Sequence, residues 1–247
     1  MDIAGTTAFV TGAHGGIGRC FVAALIKRGA RRVYAADLPG RDDDAVADSR
    51  IVPVDLDITD EASTVRAAKS AADVQLLINN AGVNLRAPFI AAPSMASARR
   101  EIETNYLGTL AMCRAFAPVL AAHRHFGGSA IINVASILGK VTLPNLGSYC
   151  ASKAALLRLS EGVRAELMAQ GTKVALVLPW AVDTAMSGPF QGVKTSPTEV
   201  AERALDAVVA GEEDIWLHDY SYELERRLRE DPKGLEKELA ATFRSAP

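Results

Sequence analysis

Thr7-Ala8-Phe9-Val10-Thr11-Gly12-Ala13-His14-Gly15-Gly16-Ile17-Gly18 is a β-prone apolar run that breaks into glycines and then enters a helical pattern. Glycines at such a turn let the backbone bend tightly and approach a pyrophosphate. The first N–H groups of the following helix add positive potential. The spacing is Gly-x-x-x-Gly-x-Gly, at Gly12, Gly16 and Gly18, which departs from GxGxxG. No Gly-Lys-Ser/Thr follows, so this is not a triphosphate P-loop. The competing reading is a glycine-rich strand-to-helix turn with no ligand.

Outward from this turn, short β-branched runs alternate with longer helical patterns, the sequence form of repeated βαβ units. Strands are expected at Thr7–Val10, Val33–Ala36, Ile51–Val54, Leu76–Asn79, Ala130–Val134, Val174–Leu178 and Ile215–His218. Most are apolar on successive residues, as when helices cover both faces of a parallel sheet. Helices are expected at Ile17–Arg28, Asp60–Ala71, Met95–Arg124, Ser148–Ala169 and Thr198–Ala210. The fold class is therefore α/β, a doubly wound Rossmann-type parallel sheet of about seven strands with helices on both faces. No linker, repeat or low-complexity tract divides residues 1–247, so one domain is expected. Residues 219–247 form a helical extension, with helices at Tyr220–Arg229 and Pro232–Phe243. The second carries an apolar stripe at Leu235, Leu239 and Phe243, for which packing on the same domain is favoured over a second subunit or the substrate pocket. Thr184–Pro197, with Gly188, Pro189 and Gly192, reads as a loop.

Hydrophobic residues make up 49% and charged residues 23%, the mixture of a soluble globular protein. A net charge of −2 gives no electrostatic case for nucleic acid or an anionic membrane. No apolar run reaches the length of a bilayer span, and the N-terminus does not read as a signal peptide. Cys20, Cys113 and Cys150 are far apart and show no metal-ligand pattern, so no metal and no disulfide is expected. Three reduced thiols imply a cytoplasmic protein.

Asp37 closes the second strand, nineteen residues after Gly18. A carboxylate there can accept hydrogen bonds from the ribose hydroxyls of NAD and repels a 2′-phosphate. Leu38 follows it rather than an arginine, and Gly15 rather than a basic residue precedes Gly16. These features favour NAD over NADP. A turn-forming aspartate ahead of Pro39-Gly40 is the plainer reading.

A second constellation lies downstream, where Tyr149 and Lys153 stand at i and i+4 of a helix, on one face. A free phenol has a pKa of about 10, and a nearby cation is expected to lower it towards neutrality. Ser136 lies thirteen residues upstream of Tyr149. Taken singly, each is an ordinary helix or strand-end residue.

Together these motifs resemble the short-chain dehydrogenase/reductase family, through about residue 218. Thr11–Gly18 matches TGxxxGxG, and Asn79-Asn80-Ala81-Gly82 matches the NNAG element, which places Asn80 and Gly82 along the cofactor. Asp57-Ile58-Thr59-Asp60 resembles the stretch whose first aspartate binds the adenine; Asp55 competes for that register, and Asp57 is favoured. The resemblance implies cofactor contacts from Gly12, His14, Gly16, Ile17, Gly18, Asp37, Leu38, Asp57, Ile58, Asn80, Gly82, Tyr149, Lys153, Pro179, Val182 and Thr184. It implies a catalytic set of Asn105, Ser136, Tyr149 and Lys153. Pro179-Trp180 departs from the family's Pro-Gly, putting tryptophan where the pattern has glycine. Trp180 is expected to line the substrate pocket.

The expected activity is NAD-dependent interconversion of a secondary alcohol and a ketone. Tyr149 acts as general acid or base, Lys153 tunes it and holds the nicotinamide ribose, and Ser136 binds the reacting oxygen. Asn105 holds a water leading from Lys153 to solvent. An NADP-dependent carbonyl or acyl-carrier-protein reductase is the second enzymatic reading. A non-catalytic NAD-binding sensor or scaffold is the reading from another class. Met186, Phe190 and Val193 suggest an apolar alcohol or ketone as substrate. The resemblance further implies a homo-oligomer, dimer or tetramer.

Overall fold

The computed structural model describes residues 1–40, 48–124, 128–188 and 190–241. Pro189 and Phe243, named above, lie outside the described residues. Seven strands form one parallel sheet: β1 (Thr7–Thr11), β2 (Arg32–Asp37), β3 (Ile51–Asp55), β4 (Leu76–Asn79), β5 (Ser129–Val134), β6 (Thr172–Leu178) and β7 (Asp214–Trp216). Their order is β3-β2-β1-β4-β5-β6-β7. The winding direction reverses between β1 and β4, and in such sheets the crevice at that reversal receives the ligand.

Alternate side chains of each central strand enter opposite layers, as the two-residue period requires. Ala8, Val10, Leu76, Ile78, Ala130 and Ile132 pack towards α1 (Gly16–Lys27) and, further along the chain, Pro197–Ala210. Phe9, Leu77 and Ile131 pack on the other face towards α2 (Glu61–Ser70) and the helix at Thr109–Ala121. Both faces are dry, which is why the strands read as unbroken apolar runs rather than alternating ones.

The helix expected over Met95–Arg124 is not continuous. It comprises α3 (Ala96–Ile102), a π-helical turn at Glu103–Gly108, and α4 (Thr109–Ala121). The wide turn surrounds Asn105, whose side chain is drawn into hydrogen bonds with the loop after β4, and the turn closes at Gly108, where a Cβ would stand 2.8 Å from the Ile58 side chain. Single π turns inside helices recur at functional sites.

The remaining helices are α5 (Gly147–Leu167), α6 (Pro197–Ala210), α7 (Asp219–Glu230) and α8 (Pro232–Ala241). The last strand stops at Trp216 rather than His218, because His218 leaves the sheet to cap α7: its Nδ1 accepts from the Ser221 N–H at 3.3 Å. Leu224, Leu235 and Leu239 are buried with Leu178 and Trp216, so the described part of the C-terminal stripe packs on its own domain. No helix among the described residues is long and apolar enough to cross a membrane.

Candidate active site

The glycine turn after β1 has the shape its composition foretells. Gly12 has φ +63°, a left-handed conformation, and a Cβ there would stand 2.9 Å from the Ala81 Cα. Two neighbouring segments lock the turn. Asn80 donates through Nδ2 to the Thr11 and Gly12 carbonyls, both at 3.0 Å, while Thr11 Oγ1 accepts from the Asn80 and Ala81 N–H groups, also at 3.0 Å. A Cβ on Gly18 would collide with the Gly12 carbonyl, so helix and turn approach closely only with glycine there. At the start of α1 the N-cap is Gly15, without a capping side chain, and no acidic residue stands in the first turn. The residues present therefore fit a dinucleotide: a locked backbone cradle at a helix N-terminus that no side chain neutralises.

On the adenosine side Asp37 is buried at the end of β2. Its two carboxylate oxygens accept from the His14 and Leu38 N–H groups, both at 2.9 Å. The carboxylate is thus oriented by backbone amides. Asp57 accepts through Oδ1 from the Thr59 N–H at 2.9 Å and the Thr59 hydroxyl at 2.7 Å, and these bonds hold its carboxyl below its usual range. Asp55 is exposed at the end of β3. Ile58 is buried against the π turn.

Gly12, Gly16, Ile17, Asn80, Gly82, Ser136, Tyr149, Lys153, Pro179, Val182 and Thr184 line one cavity of ≈ 600 Å³. His14, Gly18, Asp37, Leu38, Asp57, Ile58 and Asn105 stand outside its lining. Asn105 lies immediately behind: Oδ1 accepts from the Val83 N–H at 2.8 Å, and Nδ2 donates to the Val83 carbonyl and Ser152 Oγ, both at 2.9 Å. Both its amide hydrogens are spent on protein, so Asn105 ties the loop after β4 to the helix bearing Tyr149.

Tyr149, Lys153 and Ser136 are all buried. The Lys153 ammonium donates to the Val134 carbonyl at 3.0 Å and lies 5.7 Å from the centroid of the Tyr149 ring. Burial pushes the Lys153 amine down to about 8. The expectation for Tyr149 needs correction. Burial is the largest influence on its phenol and pushes it above the ordinary tyrosine value, with only the Ser136 hydroxyl easing ionisation by hydrogen bonding. Helical spacing brings the cation to the ring, but removal of the oxygen from water sets the direction of the phenol. Ser136 is itself fixed, donating to the Pro179 carbonyl at 3.3 Å and accepting from the Leu138 N–H at 3.1 Å.

Trp180 does line the cavity, packed edge-on to Phe190 (centroids 6.0 Å apart) and against Tyr220 of α7 (5.1 Å). Met186 also lines it, whereas Val193 is 92% exposed and takes no part, so it does not shape the pocket as expected. Sequence reasoning missed Arg86 and Asn84 on the lining, and Glu101 behind it. Glu101 is fully buried, accepting from the Leu85 N–H at 2.7 Å and from the Ser148 hydroxyl. A glutamate in a helix with two arginines before it looks like a surface residue, so nothing in the sequence marks this role. Glu101→Ala leaves the buried Ser148 hydroxyl without its acceptor, at about 1–3 kcal/mol, and frees the Leu85 amide as well. It is expected to lower Tm by several degrees, whereas Glu101→Gln, which keeps one acceptor, loses less; thermal unfolding checks both.

The thiols of Cys113 and Cys150 are buried and pushed up, the first to about 12, so both are packing groups rather than nucleophiles. No group of three metal-ligating side chains exists among the described residues.

The sequence model of the family described as short chain dehydrogenase matches residues 6–192. A sorbitol dehydrogenase of Cereibacter sphaeroides is 34% identical over 190 residues, covering 74% of this chain and 73% of that protein. A carbonyl reductase [NADPH] 2 of Sus scrofa is 35% identical over 207 residues, covering 82% and 81%. The crystal structure of a short chain dehydrogenase from Burkholderia cenocepacia in complex with NADP superposes over 100% of both chains, with 41% identity and a TM-score of 0.89.

Proposed function

The chain belongs to the short-chain dehydrogenase family, and from that premise we propose that it is an NAD-preferring oxidoreductase interconverting a secondary alcohol and its ketone. The observation that carries this reading is the convergence of Ser136, Tyr149 and Lys153 on the cavity that also contains the glycine cradle. A bound nicotinamide supplies or accepts the hydride. Tyr149 moves the proton of the reacting oxygen, giving it to the ketone oxygen in reduction and taking it from the alcohol in oxidation. Ser136, whose Oγ is held by the Leu138 N–H, would turn its single proton from the Pro179 carbonyl to that same oxygen and stabilise charge there. Lys153 sits as a cation beside the ring and favours the phenolate during transfer. Gly12, Gly16 and Ile17 would hold the pyrophosphate, Asp37 the adenosine ribose, and Thr184 and Val182 the nicotinamide side.

Purified protein with NAD⁺ and a panel of secondary alcohols tests the reading through NADH absorbance. Turnover supports it; tight NADH binding with no turnover of any alcohol or ketone turns the protein into a binding module instead.

NAD preference rests on Asp37 at the end of β2, a carboxylate oriented by the His14 and Leu38 amides that would repel a 2′-phosphate. The NADP complex of the Burkholderia relative makes this the point most worth testing. Two like charges 4 Å apart cost between about 1 kcal/mol in water and about 4 kcal/mol near a protein surface. Asp37→Asn is therefore expected to reduce the NAD⁺/NADP⁺ ratio of kcat/KM by at least about fivefold. A wild-type enzyme that favours NADP⁺ at matched concentrations reverses this assignment.

A further inference from the structure

We propose that Arg86 forms an anion subsite at the cavity, so that the substrate is a hydroxy or keto acid with an apolar body and a carboxylate end. The proposal rests on the oxidoreductase reading and narrows its substrate class. Among the residues lining the cavity, the cations are Arg86 and Lys153, and no carboxylate accompanies them. Lys153 is buried beside Tyr149, but Arg86 is exposed and makes no ion pair among the described residues.

The loop that carries Arg86 is held in an unusual shape. Val83 N–H donates to Asn105, Leu85 N–H to Glu101 and Arg86 N–H to Asn84 Oδ1 at 3.0 Å, so three amides in four residues are fixed by side chains. Both Asn105 and Glu101 are fully buried. The backbone at Arg86 is left-handed, φ 54°, where residues bearing a Cβ rarely sit and where strain accompanies function. Arg86 Nη2 donates to the Met186 carbonyl at 2.5 Å, which ties the guanidinium to the segment that also bears Trp180 and Phe190. Met186 is its one protein acceptor among the described residues, leaving further N–H groups of the fork for a ligand.

The cavity that Arg86 and Tyr149 share is also lined by Leu138, Leu143, Trp180 and Phe190, surfaces that suit a ring or alkyl body. One guanidinium balances the single charge of a carboxylate, whereas a phosphate dianion is left half compensated. A carboxylate is therefore the favoured anion.

The test pairs secondary hydroxy acids of graded spacer length with their methyl esters, assayed with saturating NAD⁺ on wild type, Arg86→Met and Arg86→Lys. In the wild type at least one acid is expected to exceed its ester in kcat/KM by about tenfold or more, mainly through KM. Arg86→Met is expected to bring that acid-to-ester ratio close to one, and Arg86→Lys to restore part of it. Equal use of acid and ester by the wild type overturns the subsite. So does weaker NADH binding by Arg86→Met with its acid preference intact, because the arginine then serves the cofactor. Failure of every acid, ester and neutral alcohol sinks the oxidoreductase reading, and this proposal with it.

Discussion

Tyr149→Phe is expected to lower kcat by about 10²–10⁴-fold, the usual worth of a positioned proton donor or acceptor, while NADH binds nearly as tightly as to the wild type. The ring remains to fill its buried place, and only the oxygen is lost. Stability should fall by no more than about 1 kcal/mol, the net worth of one hydrogen bond. The pH dependence separates this chemistry from a packing effect. Burial holds the phenol above its ordinary value, so Tyr149 is protonated throughout the neutral range. The proton donor for ketone reduction is therefore always present, whereas the base for alcohol oxidation becomes more available as pH rises. Oxidation should accelerate with pH from neutrality and slow its rise once Lys153 begins to discharge near about 8. Reduction should stay flat over the same range. Tyr149→Phe should lose the slope of the oxidation profile together with the rate. A variant that keeps normal activity, or keeps the slope, removes Tyr149 from the reaction.

That correction shows where sequence ends. The sheet was legible because the central strands are apolar on both faces: Phe9 and Leu77 enter one layer while Val10 and Ile78 enter the other. The phosphate turn was legible because Gly12, Gly16 and Gly18 state backbone geometry directly. Spacing also brought Lys153 to the Tyr149 ring, but spacing contains no information about solvent, and solvent removal set the direction of the phenol. Glu101 and Arg86 were illegible for a related reason. Each takes its role from contacts across distant segments: Glu101 from Leu85 and Ser148, Arg86 from Met186 a hundred residues later. Trp180 lies between these cases. Its departure from the family pattern drew attention to the pocket, yet its partner Tyr220 belongs to a helix whose docking no local motif announces.

Lys153→Met is expected to separate stability from activity. The wild-type amine is buried, and its pKa falls from 10.5 to about 8 through loss of solvent. In the unfolded chain the amine keeps its proton until about 10.4. Between these values the unfolded state binds more protons, so folding stability rises with pH across that window. Below about 8 both states are protonated, and the folded protein carries the full penalty of a buried cation. Methionine has no such titration. The stability of Lys153→Met relative to wild type should therefore be greatest near pH 7 and shrink as pH approaches 10. The change across the window is about 3 kcal/mol at about 1.4 kcal/mol per pKa unit, or about 6–12 °C in relative Tm for a chain of this size. The Val134 carbonyl loses its donor in the variant at every pH, a constant offset that leaves this trend intact. The Tyr149 phenol stays protonated in both proteins below pH 10, so it does not enter the difference. Turnover should meanwhile collapse, because the phenolate loses the cation that favours it during transfer. Thermal unfolding of both proteins at matched pH values reads the trend. A relative Tm that does not change between pH 7 and 10 means the amine is not desolvated as the structure has it, and the electrostatic role given to Lys153 falls with that result.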